Sequence, residues 1–247
     1  MPKETIPSQD GITPVELERL SRSLLFEGMS LKRLSAIFKD SKCLRLPAKK
    51  EIYKRGEPGG EMSIILSGGV KVSTSSSDGK EVIFDLLGEG EFFGELCLLD
   101  GLPRAATVTT LVPTVLIAMD RDVLMSFMKD HSDVTMRLFH LLALRLRAVD
   151  SFLEDMLFFD SETRLAKRLM TLKDIYGKAA GDAIHIDLKI SQQDIASLVG
   201  ISRERVNKHL KNWEKAAIVS LQQGRVVIQN LALLQELASA AHAVCKV

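Results

Sequence analysis

Residues 190–228 read ISQQDIASLVGISRERVNKHLKNWEKAAIVSLQQGRVVI, and the punctuation of this stretch decides the architecture around it. Ser191 stands three residues before Asp194, the capping-box spacing, so a helix starts at Gln192. Its apolar face is Ile195, Leu198 and Val199, and Gly200 stops it. Ser202 caps a second helix with Val206, Leu210 and Trp213 on its buried side, after a turn of about three residues. Two helices joined in this way form a helix-turn-helix. IVSLQQGRVVI then closes as a β-hairpin with Gly224 in its turn, a wing.

Pairs of helices like this also occur in proteins that never meet nucleic acid, and Lys and Arg on a helix are commonly just solvated. Here several features coincide: a capped first helix, Gly in the turn, Ser-Arg-Glu opening the second helix, and a basic hairpin. In such motifs the N-terminal residues of the second helix reach base edges in the major groove. Arg there bonds guanine in bidentate fashion, and Glu accepts from a cytosine amino group. Residues 160–247 hold 13 Lys and Arg against 9 Asp and Glu, a net of +4, whereas residues 1–159 hold 20 against 23, a net of −3. The basic part is thus the part with the helix-turn-helix, which suits a polyanionic partner, double-stranded DNA. The DNA-facing set is Ser191, Gln192, Ser202, Arg203, Glu204, Arg205, Lys208, Lys211 and Arg225.

Upstream, FFDSETRLAKRLMTLKDIYG gives a helix and GKAAGDA a loop. Between Val134 and Phe159 there is neither Gly nor Pro, which predicts one long helix. Leu142, Leu146, Val149, Leu153 and Met156 are spaced 4, 3, 4, 3 along it, a coiled-coil seam. Leu138, Leu141, Ala148 and Phe152 form a second stripe interrupted by Arg145. Two adjoining stripes need two partners, and a second copy of the same helix is the cheapest, so a homodimer is expected.

From Cys43 to about Met119 the texture is β-rich: SIILS, VKVST, EVIFDLL and TVLIAM, separated by EPGGE, SGG, SSSDGK and LGEGE. Short runs with Gly-rich turns indicate a small antiparallel barrel or sandwich. Before it, Thr13-Pro14 reads as a helix start and Ser30 opens a second short helix, while the first dozen residues are polar and expected to be mobile. The chain therefore divides into an N-terminal β domain (1–130), a long helix and hinge (131–159) and the helix-turn-helix domain (160–247). Within the β domain, FGELCLLDGLPRAATV (93–108) places one carboxylate, Glu95, and one guanidinium, Arg104, in a segment that otherwise wants burial. A structural ion pair between them with no ligand would be poorly rewarded, so the segment poses the question of what the two charges serve.

At 247 residues and 46% hydrophobic content the chain can bury a real core, which excludes wholesale disorder. No apolar run approaches the roughly 18 residues of a membrane span. MPKETIPSQDG lacks the apolar core of a signal peptide, so the protein is expected in the cytoplasm without a membrane partner. Cys43, Cys97 and Cys245 show no CxxC spacing and are read as reduced and buried or incidental. Residues 1–42 hold no cysteine for an iron–sulfur cluster. The histidines, His131, His140, His185, His209 and His242, all lie outside the β region, which disfavours a haem sensor. Without a nucleophile–base pair or metal-ligand spacing, no enzyme is expected.

With FGELCLLDGLPRAATV and ISRERVNKHL in hand, the chain from about Leu17 to Ile228 resembles the cyclic-AMP receptor protein/fumarate-nitrate regulator family of bacterial transcription factors. The resemblance implies an α+β fold: a cyclic-nucleotide-binding β-roll of jelly-roll type, a long dimerisation helix, and a C-terminal winged helix-turn-helix. It implies that Glu95 bonds the ribose 2′-hydroxyl and Arg104 the cyclic phosphate. Gly94 allows close approach, and Leu96, Ala105, Phe84, Leu87, Arg145, Val149 and Asp150 complete the nucleotide set. Ala105 stands where the bacterial receptor carries Ser; PRAAT looks like the cassette of cyclic-AMP-dependent protein kinase regulatory subunits, where Ala offers only its N–H. Related cyclic-GMP domains often place Thr there, so cyclic AMP is favoured over cyclic GMP as the effector, with no tightly bound cofactor. Val149 and Asp150 replace a Thr-Ser pair that touches adenine in the receptor. The family carries Arg where Lys208 stands. A loop such as GKAAGDA touching RNA polymerase is implied by the resemblance alone. Two other readings stay open: a cyclic-nucleotide-binding subunit acting on a protein partner, and a DNA-binding regulator whose roll is empty or takes a different effector.

Overall fold

The computed structural model describes residues 12–39, 41, 43–181 and 183–239. The expectations for the first eleven residues, His242 and Cys245 fall outside the described residues. The chain forms two compact units that divide inside the long helix, at Arg145 and Leu146.

In the first unit α1 (Pro14–Ser21) starts at a full capping box, in which the Thr13 hydroxyl accepts the Glu16 N–H and the Glu16 carboxylate accepts the Thr13 N–H. α2 (Leu31–Ile37) follows. Then come β1 (Cys43–Leu46), β2 (Glu51–Tyr53), β3 (Glu61–Ser67), β4 (Val70–Ser75), β5 (Glu81–Leu87), β6 (Phe92–Phe93), the short α3 (Leu96–Asp100), β7 (Thr107–Thr110) and β8 (Thr114–Asp120). α4 (Arg121–Asp130) leads into α5 (Ser132–Phe158). The strands make two antiparallel four-stranded sheets, β1-β8-β3-β6 and β2-β7-β4-β5.

The alternation of side chains along β3 explains its nearly continuous apolar run. Met62, Ile64 and Leu66 join a core with Leu20, Phe26, Leu34 and Phe38 of the N-terminal segment, whereas Ile65 joins a second core with Val70, Leu87, Phe93, Val108 and Leu116. The sheet containing β3 is therefore covered on both faces, by helices on one side and by the other sheet on the other. The start of α5 belongs to the helical layer, because Val134 and Leu138 are fully buried in that core and Leu141 and Leu142 pack against it. This alters the expected stripes: Leu142 of the seam and Leu138 of the second stripe find an apolar partner in their own roll. From Leu146 onward the seam residues are exposed.

The second unit contains the rest of α5, α6 (Ser161–Tyr176), β9 (Gly177–Ala180), β10 (Ala183–Ile186), α7 (Gln192–Val199), α8 (Arg203–Lys215), β11 (Val219–Gln222), β12 (Arg225–Ile228) and α9 (Leu231–Ser239). GKAAGDA, expected as a loop, supplies β9 and, at Ala183, the start of β10 in the sheet β11-β12-β10-β9. Ala and Gly have poor strand propensity, but backbone pairing of β9 with β10, and of β10 with β12, overrides it. Among the described residues no helix is long and apolar enough to cross a membrane.

Candidate functional site

In the roll the site is assembled where β6 ends. Gly94 has φ +85°, and a Cβ there would lie 2.6 Å from Arg104 Nη1 and 3.1 Å from Tyr53 Oη, so only glycine fits both the backbone and the crowding. Glu95 follows as the N-cap residue of α3, and Gly101 closes that helix in the left-handed conformation. Both charged side chains singled out in the sequence are buried, Glu95 at 4% and Arg104 at 6% exposure. They do not pair with each other. Glu95 Oε1 accepts from Arg145 Nη1 at 2.8 Å, and Arg145 also donates to the Phe92 carbonyl and lies over the Phe92 ring.

Arg104 is held by neutral groups. Its Nη1 donates to Glu61 O at 2.7 Å, Gly94 O at 3.2 Å and Cys97 Sγ at 3.1 Å. Its backbone is tied to the preceding turn through Glu57 O and Gly56 N. Its Nε is buried without a hydrogen-bond partner, and no carboxylate among the described residues pairs with it. A buried cation whose hydrogen bonds go to neutral groups is costly and is relieved by an anion. Arg104 also borders a cavity of about 590 Å³ that reaches Lys50, Ile52, Tyr53, Glu57 and Glu61. Tyr53, whose hydroxyl is pushed above the usual phenol range chiefly by burial, stacks its ring at 4.0 Å from the guanidinium carbon. Cys97 is a buried free thiol. The Cys43 thiol, buried as well, is pushed up to about 11 mainly by burial.

The remaining residues of the expected nucleotide set are dispersed. Leu87 is buried in the core between the sheets, while Phe84 and Leu96 are exposed, as is Ala105 beside Arg104. Val149 and Asp150 are exposed on α5 in the second unit. Tyr53 had no sequence signal of its own, since an aromatic in a short β run reads as core.

In the second unit Ser191 Oγ accepts the Asp194 N–H at 3.0 Å, Gly200 ends α7 at φ +71°, and Ser202 Oγ accepts the Arg205 N–H at 3.3 Å. Val206, Leu210 and Trp213 bury one face of α8. Trp213 Nε1 donates to Glu162 at 2.8 Å, and His209 and Ser161 meet at 3.0 Å, which fixes α8 on α6. Arg203, Glu204, Arg205, Lys208 and Lys211 are left exposed on α8, with Ser191 and Ser202 exposed at the helix starts and Gln192 half-buried. Arg203 and Glu204 line a shallow concavity with Asn207, a residue outside the DNA-facing set named above. Hydrogen bonds from its own backbone N–H and from Ser202 hold the Glu204 carboxyl below the usual range, so it is an acceptor at neutral pH. Arg225 on the wing is half-buried and lies 3.3 Å from Asp187, which also binds Lys178.

The roll, its buried cation and the winged helix-turn-helix together define a DNA-binding transcription regulator that carries its own effector domain. Residues 43–131 match the cyclic nucleotide-binding domain family and residues 163–237 the Crp-like helix-turn-helix domain family. The chain is 34% identical over 213 residues to the CRP-like cAMP-activated global transcriptional regulator of Mycobacterium tuberculosis, covering 86% of this chain and 95% of that protein. It is 30% identical to the cyclic AMP receptor protein of Thermus thermophilus, covering 87% of this chain and 97% of that one. The solved structure of FixK2 from Bradyrhizobium japonicum shares the fold with a TM-score of 0.71 at 22% identity, over 81% of this chain and 98% of that one. The chain belongs to the CRP/FNR family of transcription regulators. These relatives are regulators and not enzymes.

Proposed function

We propose that the protein is a homodimeric regulator whose affinity for a two-fold-symmetric DNA site is set by a 3′,5′-cyclic nucleotide, with cyclic AMP the favoured effector. The observation that carries the reading is Arg104: buried, without a carboxylate partner among the described residues, and with a buried Nε that makes no hydrogen bond to them. A cyclic phosphodiester is a compact monoanion with two acceptor oxygens, which matches the edge of a guanidinium. Glu95, next to Gly94 in sequence, supplies an acceptor for a ribose hydroxyl. The names of the relatives from M. tuberculosis and T. thermophilus point to the same effector, and Ala105 favours adenine over guanine nucleotides.

Transmission follows from where Glu95 is tied. Arg145 lies on α5 one turn before Val149, so a ligand that competes for Glu95 acts directly on the helix bearing the exposed seam. Leu146, Val149 and Leu153 are 63%, 59% and 57% exposed, an apolar stripe with the 3-4 spacing of a helix pair. Pairing α5 with its copy places two α8 helices on DNA, with half-sites roughly 10–11 bp apart centre to centre. Arg203 and Glu204 read G·C pairs, and Lys208, a single ammonium, reads less sharply than an Arg would. Calorimetry with cyclic AMP and cyclic GMP tests the effector: saturable binding of cyclic AMP at one site per chain, tighter than that of cyclic GMP, is expected. Absence of binding by either nucleotide would return the roll to an empty or differently liganded scaffold.

A further inference from the structure

Tyr53 sits where several features of the roll converge. The register of β2 on β7 shifts between Glu51, opposite Thr109, and Tyr53, opposite Val108. Such an irregularity re-aims the neighbouring side chain and is a common device beside binding sites. The re-aimed ring stacks 4.0 Å from the Arg104 guanidinium carbon and packs on Phe93 at a centroid separation of 6.0 Å. Its hydroxyl makes no hydrogen bond to the described residues and points to Gly94, where an added Cβ would stand 3.1 Å from it. The three hydrogen bonds that the Arg104 guanidinium makes to the described residues leave from Nη1. The buried Nε is left for something else.

A phosphodiester is best taken by the edge of a guanidinium, through two parallel N–H donors, so the edge must be free and the plane fixed. Stacking on an aromatic ring occupies the face of the group and uses none of its N–H bonds. Resting on the proposal that a cyclic nucleotide binds at Arg104, we infer that Tyr53 is a positioning residue for the phosphate site, its ring holding the Arg104 plane so that the Nε edge faces the anion. The role belongs to the ring and not to the hydroxyl. An aliphatic side chain of similar bulk fills the same volume but offers no flat face to the guanidinium, whose plane is then held by its Nη1 bonds alone.

The test is calorimetry with cyclic AMP on the full-length chain carrying Tyr53→Phe or Tyr53→Leu, alongside thermal unfolding of each protein without nucleotide. Tyr53→Phe is expected to bind within about twofold of the parent and Tyr53→Leu roughly tenfold more weakly. Tyr53→Met, longer and more adaptable, takes the place of Leu if that variant does not fold. In an Arg104→Lys background, whose ammonium has no plane to orient, Tyr53→Leu should change affinity by less than about twofold. That last result separates positioning from simple packing, which would carry over to the Lys background undiminished. If Tyr53→Leu binds like the parent, the assignment to Tyr53 falls while the effector reading stands. A loss in Tyr53→Phe equal to that in Tyr53→Leu moves the role to the hydroxyl and overturns the ring assignment. No cyclic AMP binding by the parent itself overturns the effector reading and this inference with it.

Discussion

Arg104 and Arg203 are the same side chain placed under opposite physical rules. Arg104 is buried among carbonyls, a thiol and an aromatic ring, with no carboxylate among the described residues paired to it. Arg203 is exposed at the first turn of a capped helix. Burying a cation costs several kcal/mol unless something compensates it, so the roll advertises its ligand through energy. An exposed cation costs almost nothing, so the helix advertises its ligand only through position. The first kind of site should therefore fail steeply when its charge is removed, and the second should fail selectively.

Arg104→Leu carries the largest expected effect. Cyclic-nucleotide affinity should fall by several kcal/mol, because the phosphodiester loses its buried cation. The nucleotide-free fold should melt no lower than the parent, since an uncompensated charge has been replaced by an apolar group. Titration calorimetry and a melting curve on one preparation check both halves. Next in size are Leu146→Lys and Leu153→Lys, each of which sets two ammonium groups against each other across the proposed seam. Analytical ultracentrifugation should show these variants as monomers at concentrations where the parent is a dimer, and a persistent dimer would place the interface elsewhere.

On the DNA side the effects should be smaller and split by type. Arg203→Ala should cost about 1–3 kcal/mol on the selected site and little on scrambled duplex, because a base contact is lost. Lys211→Ala should weaken both duplexes alike and flatten the salt dependence by about one unit of slope. Arg225→Ala should have the weakest effect, since Asp187 already engages that guanidinium. Anisotropy titrations at one fixed salt concentration, then at several, order the three. Equal losses for Arg203→Ala on both duplexes would reduce that residue to a phosphate clamp.

How much of this could be read before the structure depended on whether the cause was local. Thr13, Ser191, Ser202, Gly200 and Gly224 act within a few residues, and each stands at the cap or turn its type foretells. The long helix was legible for the same reason, since a stretch without Gly or Pro keeps its period. Long-range pairings were not. Arg145 lies 50 residues from Glu95, and nothing in FGEL says which cation answers it. β9 is a strand because β10 lies beside it, against the preference of Gly-Lys-Ala-Ala. Leu138 and Leu142 showed apolar spacing but not which surface would cover them, and the roll took both. α3 is too short for periodicity to reveal.

Filling the Arg104 site is expected to change how tightly the second unit holds DNA. The direct measurement is the affinity of the full-length protein for a labelled duplex, selected from a random pool, titrated with and without saturating cyclic AMP at fixed salt. Cyclic AMP should tighten binding at least tenfold in the parent and leave the affinity of Arg104→Leu where it was without nucleotide. Equal DNA affinity in the parent with and without the nucleotide, under conditions where calorimetry shows the nucleotide bound, would contradict the account.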